Sequence, residues 1–212
     1  MFNKFNFLLS GILITGLILL NSCQKEITGE IDPGGGGGGT TGMKPKVGTI
    51  WSYHYYTYWP ILGGGVRSVS ILTLKAKSEE TLGGEKWLNV VDVAADTTFY
   101  YLREKTDGLY QYTNGNAYLL CKHPAVVNDS YNTYNDGSAE NFVVKGVQDT
   151  IPTGIGDVPA NFYEGTKTGY LIDQLWYHTN AWIVRKTFYL KLPAPSPLYY
   201  KYSSMFLDAI VY

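Results

Sequence analysis

From Lys44 to the C-terminus the chain is broken at short, near-regular intervals by glycine, asparagine–glycine or proline, and this cadence restricts what it can fold into. Between the breaks tyrosine, tryptophan, valine, isoleucine and threonine dominate, residues that suit a pleated, half-buried surface. No run of about 12 or more residues carries the helical period. Strands are expected at 51–59, 66–77, 86–95, 97–104, 109–112, 117–122, 140–150, 161–166, 170–178, 181–192 and 199–212, with a polar loop at 128–139. Thr113-Asn114-Gly115-Asn116 is the plainest hairpin, because Asn-Gly supplies the two positive-φ positions of a type I′ turn. On strand 51–59 the odd positions Trp51, Tyr53, Tyr55 and Trp59 share one face.

Many short strands with no fixed repeat predict an all-β antiparallel meander, curved into a barrel, a half-barrel or a sandwich. Little or no helix is expected in the mature domain.

The N-terminus has the three zones of a secretory signal: Lys4, an apolar run from Phe5 to Leu20, then small and polar residues. Leu20-Asn21-Ser22-Cys23 resembles the processing box of bacterial lipoproteins, in which the cysteine is acylated and becomes the first residue. An uncleaved membrane anchor is the alternative; the run is near the lower length for a span. Several acyl chains on Cys23 would hold stably where one would not, at about 0.8 kcal/mol per buried methylene. The six glycines Gly34 to Gly39 make a tether with no side chains to bury. Roughly 20 such residues span about 25 Å. The expected organisation is a signal at 1–22, an acylated cysteine and flexible tether at 23–42, and one β domain at 43–212.

The chain has two cysteines, so with Cys23 acylated Cys121 has no partner inside the chain and stability must come from the core. Cys121 follows Ala117-Tyr118-Leu119-Leu120 and reads as a small buried hydrophobe. A formal net charge of −1 without blocks of like charge gives no basic stripe, so nucleic acid is not expected as a partner.

Several fragments then fall into a familiar order: Gly48-Thr49-Ile50-Trp51-Ser52-Tyr53, Asp107-Gly108-Leu109-Tyr110, Pro124 with Asn128-Asp129-Ser130-Tyr131, Val158-Pro159-Ala160-Asn161-Phe162, and Trp176-Tyr177 before Trp182-Ile183-Val184-Arg185-Lys186. Their order resembles a group of Bacteroidota-type secreted lipoprotein domains of unknown function. The resemblance implies a strongly curved antiparallel sheet similar to the half-barrel of periplasmic lipoprotein carriers. It implies no catalytic residues. Asn128 and Asn161 stand where that pattern has glycine, and Trp182 where it has a small residue.

The residues themselves show no catalytic signature. His54, His123 and His178 lie far apart without metal-ligand spacing. No nucleophile elbow occurs. Asp92, Asp96, Glu104, Glu164 and Asp173 show no pairing of the glycosidase kind. The oxygens of Asn128 to Glu140 could suit calcium, but their spacing misses the EF-hand pattern and they are ordinary turn residues. No enzyme, cofactor or metal is therefore expected.

What remains is the surplus of rings. Trp51, Tyr53, Tyr55, Trp59, Trp87 and Trp176 are the candidate ligand-binding residues, on a concave face holding an apolar or amphipathic molecule. A glycan-binding module and a structural subunit of an envelope assembly are the alternatives, and cross-strand ring pairing alone would also use these residues. The expected partner is the membrane, through Cys23, with a lipid or a glycan as ligand; the expected location is the bacterial outer membrane, facing periplasm or exterior.

Cys23→Ser should stop processing. Mass spectrometry of the N-terminal peptide should show an acylated cysteine at the start of the wild type, and an unmodified residue preceded by 1–22 in the variant.

Overall fold

The structure is a computed structural model, and it describes residues 43–61, 63–135, 137–192, 196 and 198–212. Cys23, with the signal and tether expected at 1–42, lies outside the described residues.

All described secondary structure is β. The strands are β1 (Ile50–Tyr58), β2 (Val66–Leu82), β3 (Glu85–Asp92), β4 (Thr97–Lys105), β5 (Gly108–Thr113), β6 (Asn116–Lys122), β7 (Ser130–Asn135), β8 (Ser138–Thr153), β9 (Gly156–Lys167), β10 (Tyr170–His178), β11 (Trp182–Lys191) and β12 (Tyr199–Val211). They form one antiparallel sheet of order β6-β5-β4-β3-β2-β1-β12-β11-β10-β9-β8-β7. The sheet curls until its edges, β6 and β7, approach each other, giving a barrel with one unsealed seam. The turns after odd-numbered strands make an upper rim, and those after even-numbered strands a lower rim.

Two six-stranded meanders are thus joined through β1 and β12, paired from Ile50↔Val211 to Thr57↔Ser203. The alternation of Trp51, Tyr53 and Tyr55 sends these rings inward, and Trp51 and Tyr53 are buried. Trp51 Nε1 donates to Ala181 O at 2.9 Å and Tyr53 OH to Ile183 O at 2.9 Å, so the β10–β11 turn is held over the lower end of the barrel. Trp51 also stacks on Trp182 at 5.7 Å. Asn114 and Gly115 both have positive φ, 49° and 77°, as the Asn-Gly hairpin requires.

One expectation needs correction. The polar stretch 128–139 contains a strand, β7. Its period of two is hidden because the inward residues Thr133 and Asn135 are polar and buried, while the outward ones are polar as well. The reason for polar residues inside the barrel is a charged group at this level, described below.

Side chains close the seam where the backbone ladder is missing. Tyr131 OH on β7 donates to Leu120 O on β6 at 3.0 Å, and Tyr163 OH on β9 donates to Lys122 O at 2.5 Å. Gln111 Nε2 donates to Tyr134 O, and Lys122 pairs with Asp129 at 2.6 Å. Cys121, on β6 and behind these contacts, is fully buried.

Replacing both Tyr131 and Tyr163 by Phe removes two part-buried phenol-to-carbonyl bonds, each worth about 1 kcal/mol. The double variant should unfold at lower denaturant concentration, and Cys121 should react with a thiol reagent well below that midpoint. A thiol as protected as in wild type would show that the seam does not depend on these bonds.

Candidate functional site

The ladder between β4 and β5 covers only Leu102↔Gln111 to Lys105↔Gly108. Toward the upper rim Thr98–Tyr101 stay paired with β3 alone, and Tyr112–Thr113 with β6 alone. The two strand edges diverge, and a cleft of about 470 Å³ opens between them. Its walls carry Phe99, Tyr100, Tyr101 and Tyr112 beside Thr98, Gln111, Thr113 and Asn114. Phe99 is 39% exposed and meets the Tyr100 ring edge-on at 4.7 Å.

The wall is backed by close packing at Tyr112. That ring leans on Trp87, centroids 5.4 Å apart, and packs against Gly83, where an added Cβ would lie 3.1 Å from it. Gly83 also sits at φ +58°, so glycine answers both demands. Trp87 donates from Nε1 to Leu82 O at 3.0 Å, and the Lys105 ammonium lies 5.7 Å from its ring centroid. The candidate Trp87 is therefore the buried support of a cleft ring.

The other candidate rings are placed elsewhere. Trp51 and Tyr53 belong to the core, and Tyr55 packs against it half-buried. The space among Trp51, Tyr53, Leu74, Val90, Tyr100, Leu102, Trp182 and Ile183 amounts to about 10 Å³, no more than a single water needs. Trp176 stacks on Phe162 at 4.4 Å with planes 7° apart, and its other neighbour is the Arg185 guanidinium, 4.5 Å from the ring. Trp59 is 51% exposed near the β1–β2 turn, under the Arg67 guanidinium at 5.2 Å. These six residues do not converge on one surface.

Behind the cleft lies a buried polar group. Lys186 Nζ on β11 donates to Tyr100 OH at 3.2 Å and to Asn135 Oδ1 at 3.3 Å. Asn135 Nδ2 donates to Asp173 Oδ2 at 2.9 Å. Glu140 and Thr133 are buried on the same inward faces of β8 and β7. Burial of an ammonium with carboxylates is tolerable only with such pairing. Tyr100 and Gln111 line the cleft, whereas Lys186, Asp173 and Glu140 do not.

The polar residues singled out for calcium do not gather: Asp129 pairs with Lys122, Asn132 accepts from Asn141 and Asn135 turns inward. Among the described residues no three His, Cys, Asp or Glu side chains are placed to hold a metal ion. Burial pushes the Cys121 thiol well up, which keeps it a neutral hydrophobe. In the sequence Phe99-Tyr100-Tyr101 shows only a run whose two faces are both aromatic, as in β1, and does not mark the space beside it.

Near the lower rim, burial holds the imidazoles of His123 and His178 below their ordinary 6.5. The unfolded chain then takes up protons first as pH falls. Stability should be intact above about pH 6.5 and decline below it, until the folded imidazoles are themselves protonated. Thermal melts between pH 7.5 and 5 should show this decline, and His178→Gln should flatten it.

No family model and no curated protein matches the chain. A crystal structure from Bacteroides fragilis, of a protein provisionally assigned as exported and described as having a YmcC-like fold, superposes with a TM-score of 0.43 at 14% identity, covering 80% of this chain and 98% of that one.

Proposed function

We propose that the chain is an envelope protein, carried on an acylated Cys23 and a glycine tether, that binds a ligand and catalyses nothing. The observation that carries this reading is the contrast in space between the two ring-lined regions. Small-molecule sites occupy roughly 300–1,000 Å³. The space among the inward rings Trp51, Tyr53, Tyr100 and Trp182 amounts to about 10 Å³ and the β4–β5 cleft to about 470 Å³. The ligand therefore belongs in the cleft.

The lining favours a molecule with an apolar face and a hydroxyl-bearing edge, of which a sugar is the plain example. Rings supply area for the face. Thr98, Gln111, Thr113 and Asn114 supply donors and acceptors for the edge. An acyl chain would leave those polar groups against hydrocarbon, which costs free energy. The absence of Lys186, Asp173 and Glu140 from the lining supports a binding role, since no titratable pair faces the occupant.

A second reading, a structural subunit, has its own observation. β2 pairs with β1 from Val66 onward but with β3 only from Leu74, so its upper part presents an open edge with Val66, Val69 and Ile71 exposed. Such an edge accepts another strand.

A glycan array followed by calorimetry tests the first reading. Phe99→Ala, at an exposed ring with few supporting contacts, should weaken binding of a positive oligosaccharide by about 3- to 10-fold, the worth of one ring contact, with unchanged melting temperature. Stoichiometric uptake of a fluorescent fatty acid, with no glycan response, would overturn the sugar assignment. Cross-linking into an envelope complex through β2, lost in Ile71→Lys, would favour the structural reading.

A further inference from the structure

The three side chains Lys186, Asn135 and Asp173 have a chemistry that a ligand-binding role does not use. A primary amine, a carboxamide and a carboxyl group lie in hydrogen-bonded sequence: Nζ reaches the amide oxygen at 3.3 Å, and the amide nitrogen reaches the carboxylate at 2.9 Å. All three are buried. Phe142 and Leu175 are buried on the same inward faces, and neither the amine nor the carboxyl lines the cleft. Asn135 and Lys186 are 51 positions apart and come from different meander turns, brought together only by closure of the barrel.

We propose that Lys186 and Asn135 are the precursors of an intramolecular isopeptide bond, with Asp173 carrying the protons. Exclusion of water and fixed approach are what such a reaction needs. The Lys186 ammonium passes one proton to the buried carboxyl of Asp173. The amine lone pair then forms a bond to Cγ of Asn135. Collapse of the tetrahedral intermediate breaks the Cγ–Nδ2 bond. The attacking nitrogen gives up a proton, Nδ2 gains one through Asp173, and Nδ2 leaves as ammonia. Ammonia takes the remaining proton away as ammonium, and Asp173 returns to carboxylate. An ammonium and a carboxamide become an amide and an ammonium ion, so no oxidant, cofactor or water is consumed.

The bond would join β7, one edge of the seam, to β11 across the barrel interior. It would replace a buried ammonium by a neutral amide, removing a desolvation cost. It would also supply the cross-link that a chain with Cys121 as its one described cysteine cannot make with sulfur.

Peptide mapping of the purified full chain tests this directly. After incubation of the folded protein at neutral pH, the peptide containing Asn135 should be found joined to the one containing Lys186, with a mass equal to their sum less one ammonia. The joined species should be absent from Lys186→Arg and from Asp173→Asn; the second keeps side-chain shape, and circular dichroism checks that it folds. Separate peptides with both side chains intact after prolonged incubation would overturn the proposal. So would loss of ammonia as a succinimide at Asn135 with Lys186 unmodified, a bond from Lys186 to Asp173, or a bond that persists in Asp173→Asn.

Discussion

The ladder between β1 and β12 is the interaction on which the molecule depends. Every other pairing joins strands adjacent in sequence, so each meander could form from local hairpins. Only β1 and β12 bring the two meanders into one sheet, with residues more than 140 positions apart side by side, as in His54↔Phe206. Loop closure over such a distance must be offset by contacts made at once. β1 supplies them from both faces. Inward, Trp51 and Tyr53 reach past β12 to the carbonyls of Ala181 and Ile183. Outward, Tyr56 meets the Phe206 ring edge-on at 5.6 Å.

Closure by this route decides what the interior can be. A sheet of many strands can enclose a ligand cavity, but here large rings fill it from below and a charged group from above. Trp182 shows what the filling demands. It adopts φ +64°, a conformation that costs a bulky residue of order 1–3 kcal/mol. Its stacking on Trp51 and the bond from Trp51 to Ala181 O hold it there. Space for a ligand is left where the sheet itself splits, between β4 and β5. The same closure sets Lys186 against Asn135, which holds Asp173 in turn, so the chemistry proposed for them follows from the fold and stands apart from the cleft.

Much of this architecture was legible from residue type. Alternating Trp51, Tyr53 and Tyr55 gave the inward face of β1, whereas Trp59, expected on that face, lies past the end of the strand and is exposed; Asn114-Gly115 gave the β5–β6 hairpin. Asn128, where the resembled pattern has glycine, adopts φ +73°, a conformation asparagine tolerates. Asn161, at the other such position, accepts from the Gln148 amide at 3.1 Å and so serves the bulge in β8. What could not be read was any property set by closure. β7 was hidden because Thr133 and Asn135 face inward toward a lysine some 50 residues away, and periodicity reports hydrophobicity, not distant charge partners. The candidate rings Trp51, Trp87 and Trp176 were visible as rings, yet whether a ring meets solvent or another ring depends on strands remote in sequence. The cleft escaped for the same reason: it exists because a ladder stops at Leu102↔Gln111, and no residue type marks a pair that fails to form.

Native-state hydrogen exchange resolved by residue tests this account most directly. The amides of the β1–β12 ladder should exchange only through global unfolding, while alternate amides of 98–101 and 112–113, which face the cleft without a ladder partner, should exchange orders of magnitude faster. If β1 and β12 instead lost protection together before either meander opened, the two halves would be independent units and the account of a single sheet joined through that ladder would be contradicted.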